Sequence, residues 1–413
     1  MIINRMANSN FIPYGKHFLD QEDIDSVVEV LKNGMLTQGP KIEEFENLIA
    51  KKVNAKYAVA VSSGTAALHL ACKVVGLKPG DQIITSANTF VASANAAEYL
   101  NASPYFCDID KDSLNMSISD LKVKLEQLEN CKIIMPVHFA GAPCDLEGIG
   151  KISKNKNMIT IEDASHALGA HYKSGEMVGS CKFSDMTTFS LHPVKGVTAG
   201  EGGIITTNNT DFAKKLRLLR SHGILKGNFD LPGVSKGDDM IVNKKEAFDN
   251  GELNPWYYEM QSLGYNYRIT DIQSALAISQ LGKIDKFIKR RKEIAEIYDR
   301  EFKGLDFIKP TQLNLRSNSS HHLYVVRLNF DKIKLTKRLL MNKLFENGIG
   351  TQVHYIPVPM HPYYQLKGFS INDYPNTKRY YEEALSLPIY FGLTEVLIQK
   401  VVQTIFDIVS RQN

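Results

Sequence analysis

Residues 57–80 read YAVAVSSGTAALHLACKVVGLKPG. The first five, Tyr57 to Val61, form a short apolar run of the kind that makes a buried strand. Ser62, Ser63, Gly64 and Thr65 stop it, and apolar residues then recur at helical spacing. Gly76, followed by Pro79 and Gly80, ends the helix. Strand, polar loop and helix in that order are one unit of a parallel sheet.

The unit repeats. Gln82 to Thr85, Lys132 to His138 and Met158 to Ile161 read as further buried strands, each followed by a loop and then helical sequence. Such repetition predicts an α/β fold: a mainly parallel sheet covered by helices on both faces, with ligands at the carboxyl ends of the strands. Near residue 280 the texture changes. A charged helix is expected over Lys283 to Phe302, a strand over His322 to Leu328, and a helix over Leu335 to Glu346. A strand near Gly350 to Tyr355 and a final amphipathic helix over Thr394 to Val409 complete the pattern. The division is therefore a large domain over 1–280 and a smaller α+β domain over 281–413. A polar stretch from Gly223 to Gln261 fits neither and reads as a loop insertion in the larger one.

Composition narrows the classes of function. With 413 residues, two domains are expected. A net charge of +4 comes from 49 basic and 45 acidic residues. The basic residues gather at Lys214 to Arg220 and Lys286 to Lys292, on sequence of helical period where a solvated face explains them, so no nucleic-acid partner is implied. Five scattered cysteines without a CxxC pair fit a reduced cytoplasmic enzyme, not a disulfide framework or a metal site. No apolar run approaches the ~20 residues that span a bilayer, so no membrane partner is expected.

Four features at strand ends carry chemistry. Ser63, Gly64 and Thr65 open a helix, where free N–H groups and the helix dipole attract a phosphate; an ordinary N-cap accounts for the same residues. Glu162 and Asp163 follow the strand at 158–161, with Ser165 and His166 just beyond. A carboxylate there needs a cationic partner, such as a protonated pyridine nitrogen, unless it caps a helix. FSLHPVKGVTAGEGG, residues 189–203, frames Lys195 with glycines and places Ser190 five positions before it. Burial lowers a lysine's pKa and makes its amine a nucleophile. TFVAS, residues 89–93, offers Phe90 to a flat ring.

SSGTAAL, EDASHALGA, FSLHPVKGVTAGEGG and GYNYRITDIQSAL follow one another in the order and spacing of the DegT/DnrJ/EryC1/StrS family of nucleotide-sugar aminotransferases, which the chain resembles from LTQGP at Leu36 to SLP at Ser386. The resemblance implies the fold of type I pyridoxal-phosphate-dependent transferases and pyridoxal 5'-phosphate as cofactor. It implies Lys195 as the Schiff-base lysine, Asp163 as the partner of the pyridine nitrogen, and His166 as the donor to the ring hydroxyl, where many members have glutamine. Gly64, Thr65 and Ser190 match the phosphate cradle and Phe90 the stacking position. Asn266 matches an asparagine that reaches the phosphate of a neighbouring subunit, which implies a homodimer with shared sites. EDASHALGA, LRSHGILK (219–226), HHLYVVRL (321–328) and QVHYIPV (352–358) resemble the branch of the family that serves pseudaminic acid biosynthesis. That branch aminates C4 of a UDP-linked 4-keto-6-deoxy-N-acetylhexosamine with glutamate, released as 2-oxoglutarate. Arg268, His354 and Tyr355 are the candidates to hold the substrate's diphosphate. A dTDP- or GDP-linked keto sugar is the alternative substrate. Relatives that are pyridoxamine-phosphate-dependent dehydratases carry histidine at the lysine position, and a non-catalytic regulator would not need Lys195 and Asp163 together.

Overall fold

The computed structural model describes residues 11–226 and 241–411. Seven five-residue strands make the large sheet: β1 (Tyr57–Val61), β2 (Gln82–Ser86), β3 (Ser103–Cys107), β4 (Cys131–Met135), β5 (Ile159–Asp163), β6 (Met186–Ser190) and β7 (Gly203–Thr207). Their spatial order is β1-β7-β6-β5-β4-β2-β3. Every pairing among β2 to β6 is parallel, whereas β7 runs antiparallel to both β1 and β6. The strands are apolar on both faces because helices cover both. Gly64–Val74 is buried on nearly all sides, packed against β6, β7 and the helices Ala92–Glu98 and Thr210–Arg220.

A three-stranded antiparallel sheet, Ile308–Pro310, Tyr324–Leu328 and Ala384–Leu387, builds a second apolar core with the helices Lys337–Glu346 and Glu395–Ser410. The helix Ile284–Glu301 joins the two cores. Its first turns (Ile284, Ile288) belong to the large-sheet cluster, and Ile294 to Tyr298 belong to the other. The basic clusters lie on helices as expected. Arg217 and Arg220 are not solvated, however: both donate to Glu46, at 3.1 and 2.5 Å.

Three expectations need correction. No helix follows β5. Residues 164–185 are turns, held open by Gly169, Gly175 and Gly179 at φ of 85°, 99° and 98°, values that only glycine adopts freely. The strand expected at Gly350 to Tyr355 reduces to one bridge, Gln352 to Ser386, because Pro357 and Pro359 interrupt extension beyond it. The 223–261 stretch is not all loop. Ile224–Lys226 pairs antiparallel with Tyr258–Met260, and residues 227–240 of the stretch lie outside the described residues.

Candidate active site

The carboxyl ends of β1, β2, β4, β5 and β6 open on a cavity of about 450 Å³. Each strand delivers a different group to it. After β1, Ser63 caps the helix Gly64–Val74 by accepting from Ala66 N at 3.0 Å. The first N–H groups of that helix, at Gly64 and Thr65, have no intrahelical acceptor, and both residues line the cavity. A Cβ at Gly64 would stand 2.9 Å from the Ser190 Cβ, so a larger residue would close this end. The N-cap and the anion site are thus one structure: the cap takes one donor and leaves the others.

β5 delivers two carboxylates to opposite faces, since successive strand residues alternate. Asp163 faces the cavity and is 5% exposed. Ser93 Oγ donates to its Oδ2 at 2.7 Å, and Ser165 donates to Oδ1 through both N (3.1 Å) and Oγ (2.6 Å). Glu162 faces the core. It accepts from Thr187 Oγ1 at 2.7 Å, from the hydroxyls of Tyr172 and Ser184, and from His138 Nε2 at 2.6 Å. The backbone N–H of Cys144 donates to His138 Nδ1 at 2.9 Å, which leaves Nε2 as the donor toward Glu162. Burial opposes the charge on Glu162, but these donors outweigh it and hold its pKa below 4.5.

Lys195 lies in the turn after β6 and opens onto the same cavity. Burial draws its pKa from 10.5 down to about 8, with the charge of Asp163 opposing in part. Three histidines surround it. His166 sits 4.3 Å from His322, ring to ring, and its Nε2 pairs with Tyr355 Oη at 2.8 Å. Its Nδ1 is buried and has no hydrogen-bond partner among the described residues. His354 Nδ1 pairs with Ser386 Oγ at 2.9 Å. Burial first, then nearby Lys195, lowers the pKa of His354 to about 3 and that of His166 well below 6.5. Burial, then His166 and Lys195, does the same to His322. All are neutral at physiological pH. Phe90 stands on the rim, 56% exposed, its ring 5.9 Å from that of Tyr355.

Of the residues singled out in the sequence, the cavity gathers Gly64, Thr65, Phe90, Asp163, His166, Ser190, Lys195, His354 and Tyr355. Asn266 and Arg268 do not line it. Backbone bonds pin their segment beside the cradle: Tyr267 O accepts from Ser62 N at 2.8 Å. Tyr265 and Tyr267 pack on His69, leaving Asn266 exposed on the other side. His354, being neutral, can offer a diphosphate one hydrogen bond but no charge. Ser93, Tyr14 and His322 were not foreseen as site residues. Ser93 lies within TFVAS and His322 within HHLYVVRL, but nothing in spacing says that the first reaches Asp163 and the second borders the cavity of Lys195.

A mainly parallel seven-stranded sheet of this order, with a buried lysine and a strand-end aspartate at its carboxyl edge, is fold type I of the pyridoxal-phosphate enzymes. A family model described as the DegT/DnrJ/EryC1/StrS aminotransferase family matches residues 17–406. Spore coat polysaccharide biosynthesis protein SpsC of Bacillus subtilis is 37% identical over 404 residues, 97% of this chain and 98% of the relative. The UDP-4-amino-4,6-dideoxy-N-acetyl-beta-L-altrosamine transaminase of Campylobacter jejuni is 35% identical over 401 residues, 97% and 98% of the two chains. Helicobacter pylori PseC, an aminotransferase involved in the biosynthesis of pseudoaminic acid, superposes with a TM-score of 0.85 at 30% identity, covering 97% of this chain and 100% of that one. The chain belongs to the DegT/DnrJ/EryC1/StrS family, and its activity is that of a pyridoxal-phosphate-dependent sugar aminotransferase. The cavity suits the cofactor: an anion end kept open by a glycine, an amine that is neutral in part near pH 8, and a carboxylate whose Oδ2 accepts one hydrogen bond among the described residues. Among the described residues, no helix is long and apolar enough to cross a membrane.

Proposed function

We propose that this protein transfers the amino group of L-glutamate to C4 of a UDP-linked 4-keto-6-deoxy-N-acetylhexosamine, as in pseudaminic acid formation. The observation that carries the reading is Lys195, an amine with a pKa of about 8 in a cavity shared with Asp163 and three buried, neutral histidines, His166, His322 and His354. The transaminase of Campylobacter jejuni and the Helicobacter pylori protein support the choice of sugar.

In this reading Ser63, Gly64, Thr65 and Ser190 hold the cofactor's phosphate through helix N–H groups and hydroxyls. Phe90 covers one face of the ring, and Asp163 faces its nitrogen. The cofactor, once bound, supplies an electron sink for the carbon that loses or gains a proton. Lys195 would hold the cofactor as a Schiff base, and its amine, when free, would carry that proton. An amine with a pKa near 8 is suited to both taking and returning it. His166, with Nδ1 free, serves the ring hydroxyl. Tyr355 orients His166 and, with His354, borders the sugar. Lys195 is the only cation among the described residues lining the cavity, so the diphosphate needs positive charge from elsewhere. Arg268 and Asn266 of a second copy would supply it and the remaining phosphate contact, in a cytoplasmic homodimer with shared sites. The division of the chain into domains at 280/281 belongs to the same reading, supported by the change of core along Ile284–Glu301.

The test supplies purified protein with pyridoxal phosphate, L-glutamate and, in turn, UDP-, dTDP- and GDP-linked 4-keto-6-deoxy sugars. The expected result is a UDP-linked 4-amino sugar with one 2-oxoglutarate per turnover. Amination of the dTDP or GDP sugar alone would overturn the nucleotide assignment, and a dehydrated sugar would overturn the reaction class.

A further inference from the structure

The segment that brings Phe90 to the rim also touches Asp163 from behind. Between β2 and the helix Ala92–Glu98, Thr89 Oγ1 lies 2.8 Å from Ser93 Oγ, and Ser93 Oγ lies 2.7 Å from Asp163 Oδ2. Thr89 is 1% exposed and Ser93 0%, so water does not compete for these bonds. A serine hydroxyl has one proton. With a carboxylate as acceptor, that proton goes to Asp163, and the Thr89 hydroxyl donates in turn to Ser93. The two hydroxyls form a directed relay that ends on one carboxylate oxygen.

That oxygen is the one with capacity left. Oδ1 of Asp163 already accepts twice from Ser165, which fixes its position but uses its lone pairs. Oδ2 accepts only from Ser93 among the described residues. The same hydroxyl therefore both orients the carboxyl group and sets how much charge Oδ2 presents to the cavity.

We infer that Ser93, backed by Thr89, is a positioning residue that holds Asp163 in line with the ring nitrogen of the cofactor. The inference rests on the proposed role of Asp163. It makes Phe90 and Ser93 two outputs of one turn: the first covers the ring face, and the second aims the carboxylate at its edge.

The experiment measures the affinity of the apoprotein for two probes, pyridoxal phosphate and its carbocyclic deaza analogue, in which CH replaces the ring nitrogen. Ser93→Ala should weaken pyridoxal phosphate about ten-fold, the scale of a hydrogen bond to a charged group, and leave the analogue unchanged. Ser93→Thr, which keeps the hydroxyl, should restore the affinity, and Thr89→Val should show a smaller loss of the same kind. Equal weakening of both probes, or no weakening in a variant with unchanged Tm, overturns the proposal. Asp163→Ala separates the two levels. If it too fails to distinguish the probes, the role of Asp163 is wrong; if it distinguishes them and Ser93→Ala does not, Ser93 alone is misassigned.

Discussion

Glu162 and Asp163 are adjacent acids on one strand, and they have opposite fates. Glu162, 0% exposed, has its oxygens filled by His138, Tyr172, Ser184 and Thr187, and it does not line the cavity of Lys195. Asp163 is almost as buried, yet it borders a cavity, and its Oδ2 accepts only from Ser93 among the described residues. The difference teaches how a sheet edge can be stable and reactive at once. A charge buried among enough donors belongs to the architecture, whereas a charge left one partner short is available to a ligand.

The contrast can be broken in order of effect. Lys195→Ala should lower turnover by about 10³-fold or more, since it removes the proton carrier, while unfolding in urea stays unchanged; steady-state assay and denaturation are read side by side. Asp163→Asn should lower kcat by about 10²-fold, the scale of one lost electrostatic contact in an enclosed site, again with little change in stability. Glu162→Gln should do the reverse. Losing the charge and one of the two acceptor oxygens, and so stranding two of four buried donors, should cost about 2–3 kcal/mol of unfolding free energy, with kcat of the cofactor-loaded protein held within about three-fold of wild type. Turnover lost more than stability in that variant would place Glu162 in the site after all.

The contrast also has a pH signature. Because Glu162 has a folded pKa below its unfolded 4.5, its stabilisation is complete above that value and is lost as pH falls through the lower one. Acid unfolding should therefore flatten in Glu162→Gln. Lys195 shows the opposite kind of shift. Uptake of pyridoxal phosphate by the apoprotein, followed by absorbance, should rise with pH through a midpoint near 8, not near 10.5. The three buried histidines, held neutral by burial, should add no limb of their own between pH 6 and 8.

How much of this the sequence carried depends on how local the cause is. YAVAVSSGTAAL declares a strand, a tight loop and a helix within a dozen residues, so the anion end was legible; the strand itself pairs antiparallel with β7 at the sheet edge, and the parallel pairings lie among β2 to β6. Lys195 stood out through its glycine frame. The pair Glu162–Asp163 was legible as two acids at a strand end, but not their division of labour, because the faces of β5 are set by what packs on them. His138 and Tyr172 arrive from other segments to claim Glu162. Ser93 and His322 escaped for the same reason, each being 70 residues or more from the group it serves. The helix expected after β5 failed on torsion: residues 164–185 pattern well enough, but three glycines at positive φ turn the chain instead.

The cavity draws its lining from Tyr14 at one end of the chain to Tyr355 near the other, so no fragment contains it. A ligand that needs all of these pieces at once binds only the fully folded chain. Cofactor concentration then becomes a thermodynamic lever on folding: at 100 times its Kd the cofactor adds about 2.7 kcal/mol to the native state. In a cell short of it, the same chain would be more open to proteases. The supply of a small molecule would then set the lifetime of the protein as well as its rate.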